Sequence, residues 1–251
     1  MAKQLVASCL GMLVVAYSGC DAIEPTLAAQ KTQQTKANTV VIEMYGDSTA
    51  AGCTPTPGAQ AILPCHTAGY AVANPSPEAT LESLLQSKYG AGVTVVNRGV
   101  AGNTIPTFLS GDGVNLPWAR QVAQSKAQIV TLNFGINDSN PAAKEPADAF
   151  RRNLFDLIRI AKASGKIVVV ETASPVNNHL FAALPSYVAA SIAAANESGV
   201  QVINQYGYLT SQSRWNAMLA DTVHPTQAGY NLRARIEFET LDQVVGKMLA
   251  H

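Results

Sequence analysis

Five short runs of the chain, Thr39–Tyr45, Val93–Asn97, Gln128–Asn133, Lys166–Glu171 and Val200–Asn204, are almost continuously apolar and rich in β-branched residues. Runs of that length without polar alternation predict strands buried on both faces, as in a parallel sheet. Between them the chain turns helix-like over Ser76–Lys88, Trp118–Ser125, Pro146–Ala163 and Ser186–Glu197, and a long helical stretch, Pro225–Leu249, closes it. Strand–helix alternation predicts an α/β fold, and right-handed crossovers make it a doubly wound, three-layer α/β/α sandwich. Ligands of such folds bind beyond the carboxyl ends of the strands. The stretch Thr49–Pro75 breaks the alternation with Pro55, Pro57, Pro64 and Pro75; it is too long for an ordinary connection and is expected to be an active-site loop.

Ahead of the first strand, Lys3 precedes an apolar run from Leu5 to Tyr17, well short of the roughly 20 residues a membrane span needs. It reads as the core of a signal peptide over residues 1–19. Tyr17-Ser18-Gly19-Cys20 resembles a bacterial lipobox, in which small residues precede a cysteine that is lipidated and becomes the new N-terminus. Cys20 is therefore the expected lipidation site, although Tyr17 stands where that motif has an aliphatic residue. Cleavage by the general signal peptidase near Thr26-Leu27-Ala28 is the alternative. Residues 20–39 form a polar linker and residues 40–251 the folded domain. The expected location is outside the cytoplasm: a periplasmic or membrane-anchored lipoprotein held to the membrane through Cys20, or a secreted protein in the alternative case. Cys9 leaves with the signal and Cys20 carries lipid, so Cys53 and Cys65 remain as an even pair in an oxidising compartment, which predicts a disulfide. Zinc on these two cysteines with His66 is the weaker reading, because no CxxC or HExxH set accompanies them.

Composition narrows the function classes. With 47% hydrophobic and 14% charged residues, the 251-residue chain has the apolar material for one full core, which excludes disorder and coiled-coil arrays. Seventeen basic side chains balance 17 acidic ones with no dense Lys/Arg block, so nucleic acid is excluded as a partner. No GxxxxGK[ST] or GxGxxG fingerprint opens a helix, and nucleotide binding has no support.

Four short patterns sit where the strands end: Gly46-Asp47-Ser48-Thr49, Gly99-Val100-Ala101-Gly102-Asn103, Gly135-Ile136-Asn137-Asp138, and Asp221-Thr222-Val223-His224-Pro225 before the last helix. All four belong at one edge of the sheet. A serine hydroxyl is a weak nucleophile and needs a positioned base; His224 can take its proton if Asp221, three residues away, holds the other ring nitrogen. The carbonyl under attack becomes an oxyanion, for which the backbone N–H groups of Ser48 and Gly102 and the Asn137 side-chain amide are the candidate donors. Glycine at 102 allows a close approach to the backbone. No metal or organic cofactor is called for.

On these residues the chain resembles the SGNH, or GDSL-type, serine hydrolases, from Val40 to the C-terminal helix. The resemblance implies that Ser48 is the nucleophile, that Asp221 and His224 complete the triad, and that Ser48, Gly102 and Asn137 form the oxyanion hole. Asn97, at the end of the second strand, suits the family's second block. The implied fold is a five-stranded, parallel, doubly wound (flavodoxin-like) sheet flanked by helices, and the implied substrates are esters or thioesters. Thr49 replaces the leucine of the family's name, a departure that bears on substrate preference more than on mechanism.

Taken alone, Ser48 reads as a helix cap; the other three blocks reverse that. Asp47 and Asp138 read as organisers of their turns, and His179 and His251 as solvated residues. His66 stands beside Cys65, exposed or at the substrate mouth. Gly46-Asp47-Ser48-Thr49-Ala50 approaches the GxSxG elbow of α/β-hydrolases, but Ser48 follows the first strand, whereas that elbow follows several. The leading expectation is an exported esterase that hydrolyses short-acyl carboxylic esters through an acyl-enzyme on Ser48. Ala59, Ala61, Ile62, Leu63 and Tyr70 are its expected acyl lining. Alternatives are a lysophospholipase or thioesterase, an acyltransferase on the same site, or a non-catalytic lipoprotein that binds glycan or lipid.

Overall fold

The computed structural model describes residues 39–250. The expected signal peptide, the lipidation site Cys20 and nearly all of the polar linker lie outside the described residues, as does His251. The strands are β1 (Val40–Gly46), β2 (Cys53–Pro55), β3 (Tyr70–Val72), β4 (Val93–Asn97), β5 (Ile129–Phe134), β6 (Ile167–Thr172) and β7 (Gln201–Ile203). The helices are α1 (Ser48–Ala51), α2 (Pro77–Tyr89), α3 (Ile105–Ser110), α4 (Trp118–Gln124), α5 (Ala147–Ala163), α6 (Leu184–Ser198), α7 (Gln205–Ser211) and α8 (Gln227–Leu249).

Five of the strands form one parallel sheet in the order β4-β1-β5-β6-β7. Ile42 of β1, an inner strand between β4 and β5, lies opposite Val95 on one side and Ile129 on the other. Successive strand residues point to opposite faces, and here both faces are apolar. Tyr45, Val130, Leu132, Phe134, Val168 and Val170 join Phe108, Trp118, Phe150, Leu154 and Leu157 in one core. Val40, Ile42, Met44, Ile129, Val169 and Ile203 join Leu81, Leu85, Leu209, Leu241 and Val244 in the other. Hence α3, α4, α5 and α6 cover one face and α2, α7 and α8 the opposite one. This is the expected doubly wound α/β/α sandwich.

The long helices follow from their sequence pattern. In α5, Phe150, Leu154, Leu157, Ile158 and Ala161 recur at helical spacing and are buried, which makes one stripe against the sheet. Thr226 caps α8 by accepting from the Gly229 N–H at 3.2 Å. Strand order reverses about β1, so the crevice outside the carboxyl ends of β1 and its neighbours is the topological switch point.

The segment expected as one loop, Thr49–Pro75, has structure of its own. It holds most of α1 and an antiparallel hairpin in which Cys53 pairs with Val72 and Pro55 with Tyr70. Cys53 and Cys65 are joined by a disulfide with Cα atoms 5.6 Å apart. The short helices α3 and α7 were also not expected. Each is about two turns or fewer, too short to show a period, and depends on its cap: the Thr104 side chain accepts from Thr107 N–H and the Asn204 side chain from Gly207 N–H.

Candidate active site

Ser48 is the first residue of α1, directly after β1. The cap is Asp47, not Ser48: Asp47 Oδ1 accepts from the Thr49 N–H at 2.8 Å and the Thr49 hydroxyl at 2.9 Å. That leaves the Ser48 hydroxyl free to face outward. Asp47 is buried, and burial raises its carboxyl above the ordinary range despite the Thr49 bonds and the Arg233 guanidinium. Beneath the turn, buried Arg233 donates from Nη1 to the Thr49 carbonyl at 2.7 Å. Asn97 fastens the other side, with Nδ2 donating to the Ala50 carbonyl at 2.9 Å and Oδ1 accepting from the Gly99 N–H at 2.9 Å. Glycine is required at 46, where a Cβ would lie 2.2 Å from the Asn133 carbonyl oxygen and 2.6 Å from Ala50 Cβ.

Across the sheet edge, the segment before α8 supplies the partner groups. Ser48 Oγ lies 3.0 Å from His224 Nε2, and His224 Nδ1 lies 2.9 Å from Asp221 Oδ2. A carboxylate opposite Nδ1 selects the tautomer protonated there, which leaves Nε2 free to accept from Ser48. Asp221 Oδ1 accepts from the backbone N–H groups of Val223 and His224, both at 2.6 Å. Burial pushes the Asp221 carboxyl up, but these N–H bonds and the imidazole outweigh it and hold the group below the usual carboxylate range.

Gly102 sits at φ +77° with open space where a Cβ would stand, so its backbone faces the cavity in a conformation that favours glycine. Asn137 Nδ2 donates one hydrogen to the Asn103 carbonyl at 3.0 Å; its second hydrogen remains for another acceptor. Among the described residues, neither the Ser48 nor the Gly102 N–H is donated to another protein group. Asp138 organises its turn by accepting from Ile105 N–H at 2.7 Å and Gly135 N–H at 2.9 Å.

Ser48, Gly102, Asn137 and His224 open on one cavity of about 250 Å³, whose wall is completed by Cys53, Cys65, Thr67, Tyr70 and Ala101. Its wall departs from the expected acyl lining. Ile62 and Leu63 are exposed, 64% and 56%, and Ala59, Ala61, Ile62 and Leu63 do not line the cavity; the disulfide and Tyr70 do. Thr49 is fully buried, with its hydroxyl committed to Asp47, so it does not bear on substrate preference through contact. His66 and His179 are exposed and outside the cavity. Because Cys53 and Cys65 are bonded to each other, they offer no thiolates to zinc. A larger cavity of about 510 Å³, at the opposite edge of the sheet, is lined by Lys162, Lys166, Val168, Val244 and Lys247 among others and has no hydroxyl, imidazole or carboxylate in its wall.

Sequence reasoning missed a side-chain contact on Asp221 itself. The Tyr70 hydroxyl donates to Asp221 Oδ2 at 2.9 Å, and its ring centroid lies 5.0 Å from that of His224. Tyr70 and Asp221 stand 151 positions apart, and no sequence pattern joins them.

Comparison with known proteins matches residues 44–232 to the sequence model of the "GDSL-like Lipase/Acylhydrolase family". The chain belongs to this family. A stretch of 124 residues, 44% of the chain, is 31% identical to the "Uncharacterized esterase YxiM" of Bacillus subtilis (strain 168), and the chain spans about a third of that relative's length, 32%. Among solved structures, the lipase/acylhydrolase from Enterococcus faecalis has a TM-score of 0.63 at 19% identity, over 81% of this chain and 95% of that one. Axe2, an acetylxylan esterase from Geobacillus stearothermophilus, has a TM-score of 0.62 at 22% identity, also over 81% and 95%. The acetyl xylan esterase AlAXEase has a TM-score of 0.63 at 16% identity, over 80% and 99%. At these identities the structural likeness speaks for the fold, a GDSL-hydrolase sandwich.

Proposed function

We propose that this GDSL-family protein is an exported serine esterase that hydrolyses short-acyl carboxylic esters at Ser48. The observation that carries the reading is the unbroken line from Ser48 Oγ to His224 Nε2 at 3.0 Å and from His224 Nδ1 to Asp221 Oδ2 at 2.9 Å, on the rim of a cavity that also holds Gly102 and Asn137. His224 Nε2 takes the Ser48 proton as Oγ bonds to the acyl carbon. The carbonyl oxygen becomes an oxyanion held by the N–H groups of Ser48 and Gly102 and the Asn137 amide. Collapse breaks the acyl–oxygen bond, and His224 returns the proton to the departing alcohol. Water, deprotonated by His224, then releases the acid and regenerates Ser48. Asp221, kept ionised by the N–H groups of Val223 and His224, orients the ring and stabilises the imidazolium.

The size of the cavity supports a short acyl group. At about 250 Å³ it falls below the roughly 300–1,000 Å³ of sites that enclose drug-sized ligands. Two proteins of the same fold are acetylxylan esterases, which puts acetylated carbohydrates first among natural esters to try. Export rests on the signal-like residues 1–19 and the lipobox-like Cys20, followed by a linker to residue 39 and the catalytic domain over 40–251. The Cys53–Cys65 bond is compatible with that location, and among the described residues no helix is long and apolar enough to cross a membrane.

The test is hydrolysis of p-nitrophenyl esters from acetyl to palmitoyl by a soluble form starting near Gln30, with Ser48→Ala as control. Turnover is expected to be best for acetyl to butyryl and to fall at least about 1,000-fold in Ser48→Ala. Absence of turnover on every ester, or turnover that survives in Ser48→Ala, overturns the proposal.

A further inference from the structure

The hairpin β2–β3 is tied to the catalytic edge more extensively than a covering loop requires. From the hairpin, Thr54 Oγ1 donates to the Pro225 carbonyl at 3.1 Å, beside His224. From α8, Tyr230 donates to the Cys53 carbonyl at 2.6 Å. Within the loop between the two strands, the Pro64 carbonyl accepts from the Ala101 N–H at 3.0 Å, one residue before Gly102. The disulfide joins β2 to this loop at Cys65, adjacent to Pro64. The whole element is thus fixed against both the His224 segment and the Gly102 segment.

At the end of this frame stands Tyr70, paired with Pro55 at the start of β3. Its hydroxyl donates to Asp221 Oδ2, the same oxygen that faces His224 Nδ1. Asp221 Oδ1 is already occupied by the two backbone N–H groups. Both carboxylate oxygens are therefore held, and the carboxylate plane is fixed relative to the imidazole. Without the phenol, Oδ2 keeps only the imidazole, and the ring's orientation rests on that one bond. The hydrogen bond to Asp221 raises the Tyr70 hydroxyl above its ordinary range, with burial adding to the effect, so the phenol stays protonated and continues to donate.

We propose that Tyr70 is a positioning residue for the Asp221–His224 pair and that the Cys53–Cys65 staple is what aims it. The proposal rests on the serine-esterase reading above. The Tyr70 hydroxyl takes no part in proton transfer and acts through Asp221 and His224, while the ring also lines the cavity. Its remaining contribution, ring packing on His224 at 5.0 Å between centroids, is separable from the hydroxyl because phenylalanine retains the ring.

The experiment compares wild type, Ser48→Ala, Tyr70→Phe, the Cys53→Ala/Cys65→Ala pair, and the triple variant that combines Tyr70→Phe with the pair. All are assayed on p-nitrophenyl acetate, with thermal melts to establish that each is folded at the assay temperature. Tyr70→Phe is expected to lower kcat about 10-fold, the lower end of what a hydrogen bond to a charged group contributes, with KM within about twofold. The downfield proton resonance of the His224 Nδ1–H is expected to shift in the same variant, a change that loss of packing alone does not produce. In the background without the disulfide, Tyr70→Phe is expected to cost clearly less than 10-fold, because the hydroxyl is no longer held on Asp221. If Ser48→Ala is inactive while Tyr70→Phe retains wild-type kcat and an unshifted resonance, the positioning role is wrong although the esterase reading stands. Equal cost of Tyr70→Phe with and without the disulfide overturns the role of the staple. Turnover that persists in Ser48→Ala overturns the underlying reading instead.

Discussion

Gly99→Ala perturbs the seat of Ser48, the proposed nucleophile, without touching any group that lines the cavity. A Cβ built on Gly99 would lie 2.5 Å from the Ala51 nitrogen, 2.9 Å from Ala51 Cα and 3.0 Å from the Ala50 carbonyl carbon. All three are backbone atoms of α1, so no side-chain rotation relieves the contact. The helix has to retreat by about 0.5 Å to clear the range that Cβ atoms never enter and by about 0.9 Å to reach ordinary contact. Neither side can yield at no cost. Asn97 and Arg233 hold the Ala50 and Thr49 carbonyls, while the opposing loop is tied back to β1 by Arg98 N–H to the Met44 carbonyl at 2.7 Å and Val100 N–H to the Gly46 carbonyl at 3.0 Å. If α1 moves, Ser48 leaves His224; if the loop moves, Gly102 leaves the oxyanion position. A misplacement of that size costs about 10- to 100-fold in kcat/KM, about 1.4–2.7 kcal/mol of transition-state stabilisation. Overpacking costs about 1–3 kcal/mol of stability, which lowers Tm by about 2–12 °C in a domain of this size. The assay is p-nitrophenyl acetate hydrolysis alongside a thermal melt. A folded Gly99→Ala protein with kcat/KM within twofold of wild type refutes the argument that this contact sets the position of Ser48.

Two other substitutions read different parts of the structure. Asn137→Ala removes the side-chain donor of the proposed oxyanion hole, and kcat is expected to fall about 100- to 1,000-fold with KM little changed; a loss confined to KM in steady-state kinetics counts against that role. Glu237 is fully buried, and desolvation together with the facing Glu171 carboxylate keeps it protonated well above the ordinary carboxylate range, although Arg233 pulls the other way. The folded state therefore holds a proton that the unfolded chain releases, so stability falls as pH rises from the usual carboxylate range through the raised folded value. Glu237→Gln removes this loss, and its Tm relative to wild type is expected to climb as pH rises above the ordinary carboxylate range; Tm–pH curves that run parallel show that Glu237 does not carry the proton.

The five sheet strands and the four long helices α2, α5, α6 and α8 were legible along the chain because each buries apolar side chains at its own period, as Phe150, Leu154, Leu157 and Ile158 do in α5, and the short α4 was legible from Trp118 and Val122, one turn apart and both buried. Their observed bounds agree with the sequence pattern to within a few residues. That Ser48, Gly102, Asn137, Asp221 and His224 come together at one edge of the sheet was legible for a related reason. In a parallel sheet every strand delivers its carboxyl end to the same edge, so short blocks far apart in sequence meet once strand order is known. The pairing of Cys53 with Cys65 followed from counting cysteines.

What the sequence does not carry is direction and distance across the fold. Thr49 stands next to Ser48 in the chain, yet successive residues of the α1 turn point to different sides, and Thr49 ends up buried on Asp47 while Ser48 faces the cavity. Ile62 and Leu63 are apolar and suited an acyl lining, but the loop turns them to solvent and presents the disulfide instead. Tyr70 meets Asp221, and Arg233 meets Thr49 184 residues away, only because the hairpin and α8 pack against the end of β1. Local periodicity records what each element buries. Which side chain closes on which partner is decided by the packing of elements whose separations no local pattern encodes.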